Sequence, residues 1–176
     1  SGETFVTPET ILCYSGRGFG DLSVKYHRCI RDHICNGARS RRKTGRDAAG
    51  FVPRPVLVNS WEAAYFHFTG ETIVQLAKDA AGLGIDMVVM DDGWFGKRED
   101  DNSGLGDWQV NEKKLGCSLS ELVRRVNETG VKFGLWIEPE MISEDSDLYR
   151  KHPDWAMQNP GRNPARGRNQ LVLDFS

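Results

Sequence analysis

Asp91 and Asp92 stand side by side directly after the apolar run Val88–Val89–Met90, and Gly93, Trp94 and Phe95 follow at once. Adjacent like charges are costly where water is scarce, and Asp and Gly are poor strand formers. Their position at the end of an apolar strand therefore points to ligand chemistry. Similar chemistry stands at other apolar segment ends: Asn59, Ser60, Trp61 and Glu62 after Pro55–Val58, and Trp136, Glu138 and Glu140 within LWIEPEM. Arg168, in GRNQ, precedes the apolar run Leu171–Leu173, which leads into Asp174. Aromatics and carboxylates on one rim suit a polyhydroxylated ring. Its apolar face packs on an indole, and its hydroxyls donate to charged acceptors. A neighbouring Arg or Lys would offset the cost of paired acids. An oxygen-ligand Mg²⁺ or Mn²⁺ site built from Asp91, Asp92, Glu138 and Glu140 is the competing reading. It is disfavoured because one of two adjacent strand residues points away from the barrel axis and no histidine joins the set.

The elements that must carry these residues follow from periodicity. PVLVNSW (55–61), IDMVVMDD (85–92), VKFGLWIEPEM (131–141) and NQLVLDFS (169–176) read as strands. Residues 69–84 and 118–130 read as helices, with Thr69 and Ser118 as caps and glycines at the ends. Residues 145–153 form a short helix stopped by Pro153, and 93–117 is a long polar loop. Strand–helix–strand alternation with unbroken apolar strands predicts an α/β fold with a parallel sheet. An open doubly wound sheet and an eight-stranded barrel both fit, and four strands are half of a barrel of about 250 residues. No glycine-rich phosphate motif follows any strand, which lowers the odds of nucleotide binding. In such sheets ligands meet the carboxyl ends of the strands, where these residues stand.

Upstream, residues 3–15 alternate and read as one strand, or two with a turn near Pro8. Residues 23–37 read as a helix whose face carries Tyr26, Cys29, Ile30, His33 and Ile34. Residues 38–55 are basic and Gly-containing, a linker or exposed strap. Arg39, Arg41, Arg42, Lys43 and Arg46 lack interleaved aromatics, so a solvated strap is favoured over nucleic-acid contact. The net charge of −2 over 176 residues likewise excludes a strong field for nucleic acid or membrane. No apolar run approaches the roughly 20 residues that span a bilayer. The spacing of Cys13, Cys29, Cys35 and Cys117 fits no CxxC-type metal site, and reduced structural thiols, three of them on buried faces, are expected.

NSWEA, IDMVVMDDGWFGKREDDNSGLGDWQVNEKKL, KFGLWIEPEMISEDSDLYRKHPDW and GRNQLVLDFS, in this order, resemble bacterial α-galactosidases of glycoside hydrolase family 36. The resemblance covers most of 51–176, and the front part looks like the end of that family's N-terminal β-sandwich domain. It implies the first half, about four strands, of a TIM-type (β/α)8 barrel over 55–176, a linker over 38–54, and the β-sandwich end with its connecting helix over 1–37. It implies a retaining hydrolase of terminal α-galactosyl residues, as in raffinose and melibiose, with no cofactor and no metal. The nucleophile of the family's Lys-Trp-Asp motif and the acid/base Asp are expected beyond Ser176, so no catalytic residue is assigned here. The resemblance assigns Asp91 and Asp92 to the hydroxyls at C4 and C6, Trp136 to the sugar pocket, Arg168 to the sugar and its carboxylates, and Trp61 to the mouth. Glu138 and Glu140 are given only support of the rim, and Trp108 is expected to shape the entrance. The remaining expectations are a cytoplasmic location, a homotetrameric full-length protein, and a barrel half that needs the rest of its barrel as partner. A non-catalytic galactose-binding module and a galactosyl-transferring relative are the alternatives.

Overall fold

The computed structural model describes residues 2, 4–35, 54–164 and 166–175, which fall in two compact units, Ser1–Pro53 and Arg54–Ser176. Apart from Arg54, the basic segment lies outside the described residues.

In the first unit, residues 4–15 form no strand among the described residues. Alternation alone does not make a strand, which also needs a partner for its backbone groups. Helix α1 spans Gly18–Cys29, earlier than periodicity suggested, and continues as a π-helical segment over Ile30–Cys35. Asp21 holds the first turn, accepting from Ser15 Oγ at 2.5 Å and pairing with Lys25 at 2.9 Å. Cys13 is exposed, Cys29 and Cys117 are partly buried, and all three are free thiols.

The second unit is built on strand–helix–strand repeats. Strand β1 is Leu57–Asn59, helix α2 is Trp61–Ala64, and helix α3 is Gly70–Gly82. Strand β2 is Met87–Met90, helix α4 is Glu112–Leu115, helix α5 is Leu119–Glu128 and strand β3 is Lys132–Leu135. The three strands form a parallel sheet in the order β1-β2-β3, with Asn59 opposite Val89 and Met90 opposite Leu135. Both long helices begin where the sequence marks them. Thr69 and Thr72 cap α3 reciprocally, and Ser118 Oγ accepts from the Glu121 amide at 3.2 Å to cap α5. Ile73 and Ala77 of α3 and Leu122 and Val126 of α5 are fully buried with Val88 and Met90. Each large side chain of this kind contributes about 1.5–3 kcal/mol on burial.

The segment expected as a long polar loop, 93–117, is instead part of the core. Trp94, Phe95, Leu105 and Leu115 are buried in it. Its polar residues serve its own backbone: Asn111 caps α4 by accepting from the Lys114 amide and donates to Gly96 O at 2.9 Å.

The fourth expected strand does not join the parallel sheet. Gln170–Val172, here β6, pairs antiparallel with β4 (Met141–Ile142) and β5 (Arg166–Gly167) in a separate three-stranded sheet. The run 131–141 stays bonded to β2 as far as the Trp136 amide, which donates to Met90 O, and re-enters pairing at Met141; Pro139 between them has no N–H to donate. Helix α6, Asp147–Lys151, follows β4. Among the described residues no helix is long and apolar enough to cross a membrane.

Candidate functional site

A cavity of about 670 Å³ opens at the carboxyl ends of β1, β2 and β3. All five residues singled out in the sequence, Trp61, Asp91, Asp92, Trp136 and Arg168, line it. Asn59, Phe66, Arg98 and Glu138 share the lining.

The parallel register brings the acids there. Ser60 continues β1 by donating its amide to Val89 O at 3.0 Å, and its hydroxyl accepts from the Asp91 amide at 3.0 Å. Asn59 Nδ2 donates to Asp91 Oδ2 at 2.5 Å, while Asn59 Oδ1 accepts from the Trp61 amide at 2.7 Å. The other oxygen of Asp91 accepts the Asp92 amide at 2.7 Å. Among the described residues, the side-chain oxygens of Asp91 are thus held by neutral donors, Asn59 Nδ2 and the Asp92 amide.

Asp92 is held quite differently. Arg98 Nε reaches both of its oxygens, at 2.9 and 3.1 Å, and Nη2 donates to Oδ2 at 2.7 Å. The pair is buried, with 2% of the Arg98 side chain and 8% of the Asp92 side chain exposed. Arg98 Nη1 donates to Ser103 O at 2.9 Å, and its guanidinium lies 5.7 Å from the Phe66 ring centroid. Arg98 is the residue the sequence did not single out, although a neighbouring Arg or Lys was expected to offset the cost of the paired acids. The arginine hid among the charges of KREDD, within the stretch read as a long polar loop.

The aromatic wall is fixed from behind. The Trp136 amide donates to Met90 O, and Trp94 Nε1 donates to Trp136 O, both at 3.0 Å. Trp61 meets Phe66 edge-to-face at 5.1 Å, and Phe66 in turn stacks under Arg98. Trp108, expected at the entrance, does not line this cavity; it packs between Phe95 and Trp136, with centroids 4.4 and 6.3 Å away.

Arg168 arrives on a strained turn. Arg168 and Asn169 form a two-residue hairpin between β5 and β6, and Arg168 has φ +56°. A positive φ at the first central position alone fits a type II′ turn, where glycine is the ordinary occupant. A non-glycine residue there costs about 1–2 kcal/mol. Arg168→Gly is therefore expected to raise unfolding stability by about 1 kcal/mol. Denaturant midpoints of the full-length protein and the variant check it.

Burial pushes the Glu138 carboxyl above its ordinary value of 4.5; Glu140 and Asp92 add to the rise, against pulls from Arg168 and Arg98. The sign of the linkage follows. Below pH 4.5 Glu138 is neutral in both states and carries no penalty. As pH rises through its folded value the unfolded chain ionises more readily, and stability is lost. Glu138→Gln is expected to raise the denaturation midpoint at neutral pH, with the gain vanishing below pH 4.5.

The rim segments are stitched to one another. Asp107 accepts from the amides of Asp147 and Leu148, both at 2.9 Å, at the start of α6. Ser143 N donates to Leu105 O at 3.0 Å, and Gly104 N to Asp145 O at 2.8 Å. Asn169 Nδ2 donates to Asn102 Oδ1 at 2.8 Å, and Arg166 pairs with Glu144 at 2.5 Å.

Solved structures similar to this chain include α-galactosidases. The galactosidase domain of the α-galactosidase–sucrose kinase AgaSK superposes with a TM-score of 0.73 at 67% identity, covering 87% of this chain and 20% of that one. A variant of the glycoside hydrolase family 36 α-galactosidase AgaA from Geobacillus stearothermophilus, in complex with raffinose, gives a TM-score of 0.66 at 59% identity, covering 69% and 17%. The Melibiase family model matches residues 4–176, and the chain belongs to this family, the α-galactosidases of glycoside hydrolase family 36. The bifunctional α-galactosidase/sucrose kinase AgaSK of Mediterraneibacter gnavus is 66% identical over 176 residues, all of this chain, which spans 18% of that relative's length.

Proposed function

We propose that the full-length protein is a retaining α-galactosidase acting on raffinose- and melibiose-type oligosaccharides, and that this chain supplies the galactose-recognising half of its site. In this reading β1, β2 and β3 are the first strands of an eight-stranded barrel, and residues 1–37 close an N-terminal β-sandwich domain. The nucleophile and the acid/base belong to the rest of the barrel, about 5–5.5 Å apart as in retaining glycosidases generally. Asp91 and Asp92 accept from the galactose hydroxyls at C4 and C6. Trp136 carries the apolar face of the ring, Trp61 guards the mouth, and Arg168 balances the carboxylates. No metal or cofactor enters the reaction. The full-length protein assembles as a homotetramer, which light scattering would measure directly.

The observation that carries the reading is the convergence of the acid pair, two indoles and Arg168 on one cavity at parallel strand ends, in a chain of this family. Nitrophenol release from a nitrophenyl α-galactoside by the full-length protein tests it. Preference for the corresponding α-glucoside would overturn it.

A further inference from the structure

Two adjacent carboxylates at the floor of one cavity differ in what holds them. Both oxygens of Asp91 accept from neutral N–H groups, those of Asn59 and of the Asp92 backbone. Both oxygens of Asp92 face one guanidinium. A carboxylate oxygen has two acceptor directions. Asp91 therefore keeps acceptor capacity on both oxygens together with its charge. Asp92 keeps capacity mainly on Oδ1, with its charge balanced by Arg98.

Arg98 is itself prepared for this task. Its amide donates to Phe95 O at 3.1 Å, Nη1 donates to Ser103 O, and its backbone carbonyl accepts from Lys114 Nζ at 3.5 Å. Phe66 lies under the guanidinium plane, and Phe66 is held by Trp61. A planar fork fixed at this many points sets both the position and the rotation of the carboxylate it grips.

Resting on the α-galactosidase reading, we infer that Arg98 is a positioning residue that splits the acid pair into two roles. Asp92, oriented and charge-balanced by Arg98, sets the geometry of one sugar hydroxyl. Asp91, which among the described residues accepts from the neutral N–H groups of Asn59 and the Asp92 backbone, is the anionic acceptor whose charge strengthens its hydrogen bonds to sugar. Arg98 acts on the sugar only through Asp92. The two acids are consequently not interchangeable, and only one of them depends on the arginine.

The test is a pair of double-mutant cycles on the full-length protein, read as kcat/KM on p-nitrophenyl α-galactoside, with circular dichroism to confirm folding. R98M is expected to lower kcat/KM about a hundredfold by freeing the Asp92 carboxylate from its fixed rotation, and R98K about tenfold, since a point charge replaces the fork. In the D92N background R98M is expected to change kcat/KM by less than about threefold, because its route to the sugar is already cut. In the D91N background its full effect is expected to persist. An arginine that merely braces the fold would lower activity equally in both backgrounds, and that result overturns the inference; so does an R98M enzyme as active as the parent. Where R98M does not fold, R98K carries the same two cycles. A parent that turns over another α-glycoside instead sinks the α-galactosidase reading, while the cycles run on that glycoside still decide the role of Arg98.

Discussion

Asp92→Asn in the full-length protein is expected to lose activity and stability together, whereas Asp91→Asn loses mainly activity. In the first variant the amide cannot offer two acceptor oxygens to the Arg98 fork, and a guanidinium that is 2% exposed is left without its counter-charge. Removing one partner of a buried ion pair costs about 3–5 kcal/mol. On the proposed galactose-binding role, the loss of a charge-assisted bond to substrate removes roughly another 3 kcal/mol of transition-state binding, about a hundredfold in kcat/KM. In the second variant no cation is orphaned. The new amide must still point its NH₂ at one of two N–H donors, Asn59 Nδ2 or the Asp92 amide. Asn59 cannot turn over to help, because its Oδ1 already accepts from the Trp61 amide. One mismatched contact costs about 1–3 kcal/mol. Thermal melts beside kcat/KM for the two variants separate these outcomes; equal melting loss would show that Arg98 does not depend on Asp92 for its burial.

Gly93→Ala carries the other large effect. Gly93 has φ +100°, and an added Cβ would lie 2.9 Å from Phe66 Cδ1 and 3.4 Å from Arg98 O. The left-handed backbone costs an L-residue about 1–2 kcal/mol. Overpacking adds about 1–3 kcal/mol, because Phe66 is trapped between Trp61 and the Arg98 guanidinium. Gly130 is the control: it has φ +86° with nothing within 4 Å of the added carbon, so Gly130→Ala should show the backbone part alone. Denaturant midpoints of both variants in the full-length protein isolate the clash. A loss at Gly93 no larger than at Gly130 would show that Phe66 yields freely. Any movement of Phe66 is passed to Arg98 and then to Asp92, so activity should fall with stability.

What could be read in the sequence was whatever short-range patterns encode. The helices over 70–82 and 119–128 were legible because apolar spacing and the Thr69 and Ser118 caps agree. The three parallel strands were legible because Val88, Met90 and their neighbours leave no polar face to expose. Trp61, Asp91, Asp92 and Trp136 fell on one cavity because parallel strands point their carboxyl ends the same way, and Arg168 reaches it from the β5–β6 hairpin. Pairing was not legible. Residues 4–15 alternate like a strand yet form none among the described residues, and Gln170–Val172, in a run that reads as a further parallel strand, pairs antiparallel with Met141–Ile142. Composition was misleading over 93–117, where many polar side chains surround a few fully buried apolar ones, Phe95 and Leu105 among them. Arg98 escaped for the same reason: a charge six residues beyond its partner looks solvated until the chain folds back over it.

The bonds from Asp107 to the start of α6, from Gly104 to Asp145 and from Asn169 to Asn102 have a bearing on how this site can change. They make the segments after β2 and β3 a single mechanical piece. Transplanting one of them from a relative with different tastes would tear donors from acceptors in the other. Divergence in selectivity along this wall should therefore proceed by paired exchanges, with single-segment chimeras unfolding before they acquire a new preference.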